Sequence, residues 1–280
     1  MSKVFARIDG VTSLPGLTRG IELICRTDSL AALRAAVDHG ADSVRLKWRV
    51  RNEPSGMGQP AFQRAGLRKA VQYARSHGCA ICLELSPGYA TPASIRPLLV
   101  HALEAGIDEI SLSCAALALY LRIHHPSIGI RFVADDSHLS RRALAMLRVQ
   151  LGITRVTLPP VMSLAHLAEL SRTPGIELEV QGCGTGSAIV RGAQPEIHGI
   201  TSAPAREECK EIGPCSDGSP ACNDSAFLAE TGPDPLRALA LIPELARAGA
   251  RAVLVETSGR SPARMAQLAS TWREALDSRA

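Results

Sequence analysis

His39-Gly40-Ala41-Asp42-Ser43-Val44-Arg45-Leu46 reads as the end of a helix, a glycine, a short turn and the start of a strand. Glycine suits the left-handed conformation in which helices commonly end. The unit recurs as Ala105-Gly106-Ile107-Asp108-Glu109-Ile110-Ser111-Leu112 and as Leu151-Gly152-Ile153-Thr154-Arg155-Val156-Thr157-Leu158. A fourth copy is Ala248-Gly249-Ala250-Arg251-Ala252-Val253-Leu254-Val255. Repeated helix ends leading into alternating strands are the mark of tandem βα units.

Outward from the first unit, Ile21 to Cys25 reads as a buried strand. Asp28 or Ser29 can cap the helix that follows through Leu30, Leu33 and Val37. Ala41 to Leu46 is the second strand, and Cys79 to Leu85, Glu109 to Ser113 and Gly129 to Val133 are the next three. Thr154 to Leu158, Glu177 to Val180 and Arg251 to Val255 complete the set. Further helices are expected near 67–77, 95–105, 115–124, 140–151, 163–172, 236–248 and 262–276. Eight strands, each followed by a helix, predict a (β/α)8 TIM-barrel-like fold. A doubly wound sheet is the alternative, since periodicity does not show closure. With 280 residues and 46% hydrophobic content, one domain over 1–280 suffices.

The formal net charge of +4 is mild, the basic residues are scattered, and aromatics are only 3%. These features do not argue for a nucleic-acid partner, and they do not exclude one. No apolar run reaches the length of a membrane span, and Met1 to Gly20 lacks a signal-peptide core. The expected compartment is the cytoplasm, where thiols stay reduced.

The segment from Gln181 to Pro235 breaks the regular pattern as a long loop after strand seven. In a barrel it would stand over the mouth, where active residues gather. Trp48 to Pro60 is the other long loop of that face. Four of the eight cysteines fall in the first loop: Cys183, Cys209, Cys215 and Cys222, separated by twenty-five, five and six residues. Zinc ribbons show two close pairs, whereas a [4Fe–4S] cluster needs four thiolates and tolerates wide spacing. The alternative is four unpaired thiols in a surface loop. Cys25, Cys79, Cys82 and Cys114 lie in or beside strands and read as core. The glycine-rich turn Gly182 to Ser187 could offer N–H groups to a phosphate, but a tight turn leaving the strand is the simpler reading. Asp135, Asp136 and His138 follow strand five, as an acid–base group, as metal ligands or, more simply, as helix caps. Glu84 and Glu256 end strands three and eight, and Lys47 and Arg49 follow strand two, all at the catalytic end of a barrel. Glu256 and Arg260 could equally form an ion pair at the rim. Asp135, Glu256 and Arg260 are the candidate catalytic residues.

Several stretches together resemble the peptidase U-32 family, the collagenase-like peptidases. They are Ile21 to Cys25 with Leu30 to Val37 and Gly40 to Val44, then Val156 to Val161 with Ser163 and Ile176 to Val180. Ile242-Pro243-Glu244-Leu245 with Ala248-Gly249-Ala250 follows, and Val255-Glu256 with Gly259-Arg260 and Thr271 to Leu276 closes the series. Within that family the chain is most similar to the short ubiquinone-biosynthesis members of the UbiU and UbiV type. The resemblance implies oxygen-independent hydroxylation of a ubiquinone precursor, an isoprenoid-bearing aromatic. It implies a heterodimer with a second U-32 protein and a [4Fe–4S] cluster on four cysteines. Other members of the family act in tRNA or ribosomal RNA modification. This chain departs from the relatives at several places. Ser187 and Gln194 stand where they carry cysteines, and Cys183 is displaced. Arg26-Thr27-Asp28 replaces Pro-Ala-Gly in the first turn, and Glu256-Thr257-Ser258-Gly259-Arg260 splits a Glu-Gly-Arg motif. Three functions therefore compete: a cluster-bearing hydroxylation protein, a hydrolase, and a non-catalytic partner subunit that has lost its cluster.

Overall fold

A computed structural model describes residues 20–48, 64–85, 92–183, 188–190, 235–256 and 261–278. The strands are β1 (Glu22–Thr27), β2 (Ser43–Trp48), β3 (Ala80–Leu85), β4 (Glu109–Leu112) and β5 (Gly129–Val133). They continue with β6 (Arg155–Thr157), β7 (Val161–Ser163), β8 (Glu177–Cys183), β9 (Ala188–Val190) and β10 (Ala250–Glu256). The helices are α1 (Leu30–Asp38), α2 (Arg64–Ser76), α3 (Pro92–Ala105), α4 (Ala115–His124), α5 (Arg141–Leu151) and α6 (Leu164–Leu170). The last three are α7 (Pro235–Ala240), α8 (Ile242–Arg247) and α9 (Pro262–Asp277).

Eight parallel strands close in the order β1-β10-β8-β6-β5-β4-β3-β2. Because β1 pairs with both β2 and β10, the sheet has no edge, which excludes the doubly wound alternative. The four repeated glycines, Gly40, Gly106, Gly152 and Gly249, all have positive φ, as their place between helix and strand requires. The first repeat also ties the ring to the last helix. The Asp42 carboxylate accepts from the Leu23 N–H at 2.8 Å and from Arg273 of α9, also at 2.8 Å.

Outward-facing strand residues such as Leu23, Val44, Leu83, Ile110, Phe132, Val156 and Val253 are fully buried under the helices in one continuous apolar core. Cys25, Cys79 and Cys82 are buried too, as expected, while Cys114 is partly buried and packs against the core. Ser29 caps α1 and Ser140 caps α5, each accepting from a backbone N–H three residues on.

Two details depart from the expected pattern. β7 and β9 pair in a small parallel sheet beside the barrel, where a helix start and a loop are expected. The helix expected over 236–248 is two helices that turn at Leu241, and Pro243 occupies the first turn of the second. Proline has no N–H to donate and fits that position.

Candidate functional site

The inside of this barrel is charged. Barrel interiors of this type are usually filled by branched apolar side chains. Here the inner face holds one small apolar cluster of Ile24, Ala252 and Leu254. The rest is a lattice of ion pairs that links neighbouring strands and also reaches across the barrel between strands that are not neighbours. Glu179 of β8 is fully buried at its centre. It accepts from Arg131 of β5 at 2.9 Å, from the Thr157 hydroxyl of β6 at 2.6 Å and from Arg45 of β2. Arg45 also donates to the Thr157 oxygen at 3.1 Å, and Arg131 to Ser43 at 3.2 Å and Glu109 at 2.7 Å. Glu22 of β1 is paired across the barrel with Arg155 of β6.

Three arginines thus face three glutamates inside the barrel, and their positions decide which charges persist. Burial alone would push the Glu179 carboxyl up. Arg45, Arg131 and Arg155 together outweigh it and hold the carboxyl at about 2, so Glu179 stays ionised. For Glu22 burial prevails over Arg155 and Arg131, and its carboxyl is raised above the usual value. Cys82 stands beside these groups, and burial pushes its thiol up to about 12. The lattice forms a charged floor beneath the mouth.

The mouth lies at the C-terminal strand ends, where catalytic side chains of such barrels are found. Arg26, near the end of β1, is held between Glu84 of β3 and Glu256 of β10. The Glu256 contact is 2.9 Å. All three side chains keep some exposure, between 13% and 21%, so they are reachable from solvent. Strand register explains the meeting: Arg26 lies opposite Glu256 on β10, while Lys47 of β2 lies opposite Glu84. Two carboxylates sharing one guanidinium can orient a polar substrate group and exchange a proton with it. Arg26 belongs to the departure Arg26-Thr27-Asp28, and its role is not legible in the sequence.

The candidate residues from the sequence distribute as follows. Glu256 is at the mouth, partnered by Arg26. Asp135 follows β5 at the same end of the barrel and is mostly exposed. It caps the short turn Asp136–His138 and accepts from His138 Nδ1 at 2.6 Å. Hydrogen bonds from Ser137 and His138 hold its carboxyl below the usual range. Cys183 is the last residue of β8, in register with Val255 of β10. Its side chain and all of Cys209, Cys215, Cys222 and Arg260 lie outside the described residues, as do Arg49, Ser187 and Gln194. The preceding residue, Gly182, explains how β8 packs. A Cβ there would meet Val253 Cγ1 at 2.3 Å and Trp272 Cη2 at 2.6 Å. Among the described residues no group of three or more His, Cys, Asp or Glu could hold a metal ion, and no helix is long and apolar enough to cross a membrane.

Solved structures share the architecture. One is a chain of the tryptophan synthase complex from Pyrococcus furiosus, 13% identical, with 93% of this chain and 98% of that chain covered at a TM-score of 0.51. Another is tryptophan synthase from M. tuberculosis, 12% identical, covering 92% and 93% at 0.52. A third is a designed, highly porous protein cage, 12% identical, covering 92% and 73% at 0.54. At such identities the likeness shows the barrel fold alone. The lineage is given by a sequence-family model, that of peptidase family U32, which matches residues 28–280 and so runs from the first turn after β1 through the last helix. The chain belongs to peptidase family U32.

Proposed function

We propose that this family member is an iron–sulfur protein supporting oxygen-independent hydroxylation, with a ubiquinone precursor as its substrate. Cys183, Cys209, Cys215 and Cys222 would hold a [4Fe–4S] cluster, and a second U32 protein would complete a heterodimer. The observation that carries this reading is the division of the cysteines. Cys25 and Cys79 are locked in the core and Cys82 is buried inside the barrel, with the thiols of Cys79 and Cys82 pushed up to about 12 by burial. Thiols so held are poor ligands, because the thiolate is the metal-binding form. Of the other five, Cys114 packs against the core, and Cys183, Cys209, Cys215 and Cys222 fall in the stretch of sequence that begins at the last residue of β8, which registers with the residue before Glu256. In number and softness this donor set fits a cluster.

When bound, the cluster supplies one-electron transfer. The protein's own part is to hold the substrate above the charged floor. In this reading Glu84 and Glu256, fixed by Arg26, orient its polar ring substituents, and Glu256 exchanges a proton there. Asp135 and Arg260 are the other residues proposed for acid–base and anchoring roles. A second reading, a partner subunit that has lost its cluster, is favoured by Ser187 and Gln194 at places where relatives carry cysteines. The test is the absorbance spectrum of protein purified without oxygen. A broad charge-transfer band near the visible edge, absent when Cys209 and Cys215 are replaced by serine, supports the first reading. A colourless wild type supports the second.

A further inference from the structure

Every large apolar side chain that stands exposed among the described residues lies on three consecutive outer helices. These are Val100 and Leu103 of α3, Leu119 and Ile123 of α4, and Met146 and Val149 of α5, from 40% to 80% exposed. β3, β4 and β5 adjoin in the barrel, so the helices that follow them are neighbours. α4 is apolar nearly all round. Leu117, Ala118 and Leu121 pack on the core, while Ala115, Ala116, Leu119 and Ile123 face outward. α5 repeats the arrangement, with Leu144, Leu147 and Leu151 inside and Ala145, Met146 and Val149 outside. An outer helix needs only one apolar stripe to cover a barrel, and a second stripe requires a second apolar neighbour.

The charge on this face states the chemistry of that neighbour. α4 and α5 carry Arg122, Arg141, Arg142 and Arg148 and no acidic residue, a sum of +4 that equals the formal net charge of the whole chain. Arg141 and Arg148 donate to the backbone carbonyls of Arg172 and Gly175, which are neutral acceptors. The arginines mark the first turn of α5 and the last turns of both helices, so the apolar centre has cations at both ends. A second copy of the chain does not suit such a face. A two-fold axis through it would bring eight arginines and no carboxylate of α4 or α5 into one interface. We infer that the α4–α5 face, with α3 at its edge, docks onto an anionic lipid surface, the exposed apolar side chains entering the headgroup boundary and the arginines pairing with phosphates. One medium then supplies both the apolar phase and the negative charge.

Vesicle flotation tests this with phosphatidylcholine mixed with phosphatidylglycerol, against phosphatidylcholine alone. The wild type should float with the mixed vesicles at low salt, bind neutral ones at least tenfold more weakly, and be released by high salt. Ile123→Gln with Val149→Gln should weaken binding about tenfold or more, and Arg142→Gln roughly fivefold. These side chains are exposed, so thermal melts of the variants should match the wild type. Failure to float with mixed vesicles at low salt overturns the inference. So does binding that the paired apolar substitution leaves unchanged. Self-association of the wild type that the same substitution abolishes would make the face a protein interface and overturn it equally.

Discussion

Replacing Glu179 with glutamine removes the central anion of the barrel floor and keeps its shape. Arg131 would then keep Glu22 and Glu109, and Arg155 would keep Glu22 and Glu177, while the buried Arg45 would lose the carboxylate it pairs with. Breaking a buried pair in this way costs about 3–5 kcal/mol. The titration gives a second route to the magnitude. A carboxyl held at about 2 instead of 4.5 contributes about 3 kcal/mol to folding. Its folded value is depressed, so the contribution is present above pH 4.5 and is lost as pH falls from there through about 2. Glu22 acts in the opposite sense: its raised carboxyl favours folding below 4.5 and loses that effect as pH rises through its folded value. Urea unfolding of Glu179→Gln at neutral pH should therefore show a loss of about 3–5 kcal/mol with an unchanged slope. Its melting temperature should fall by roughly 6–15 °C. The difference from wild type should shrink as pH is lowered from 4.5 towards 2. A loss under about 1 kcal/mol, or a loss independent of pH, would refute the view that these charges form one coupled floor.

Other outcomes follow from single positions. Arg26→Ala should destabilise by about 1–3 kcal/mol, because it leaves the largely buried Glu84 and Glu256 carboxylates without their shared partner, and should abolish the activity assigned to the mouth. Arg26→Lys should not restore that activity, since an ammonium lacks the fork that reaches both Glu84 and Glu256, and paired melts and turnover assays would check both variants. Gly182→Ala should destabilise by about 1–3 kcal/mol and perturb Trp272 fluorescence, measured by urea titration, as the added methyl meets Val253 and Trp272. In native protein, Cys79 and Cys82 should resist alkylation at mildly alkaline pH and react on unfolding, as peptide mass spectrometry would show.

The barrel was legible because its rule is local. Gly40, Gly106, Gly152 and Gly249 each end a helix and open a strand in one short window, and the strand from Gly129 to Val133 is read to the residue. Closure was not legible, because it rests on β1 meeting β10 across more than two hundred residues. The β7–β9 sheet was missed because three-residue strands carry too little alternation to register. The charged floor had a signal that went unread. Val44-Arg45-Leu46, Ile130-Arg131-Phe132 and Leu178-Glu179-Val180 each set one charge between apolar neighbours, which in a strand buried on both faces turns that charge into the barrel. Arg26 had no such signal, since its two partners lie 58 and 230 residues away.

The proposed cluster is tested most directly by counting iron and acid-labile sulfide after anaerobic reconstitution. The account predicts about four of each per chain in the wild type, as a [4Fe–4S] cluster requires, and a fall to background in Cys209→Ser with Cys215→Ser. Substoichiometric iron in the wild type, unchanged by those two substitutions, would contradict it.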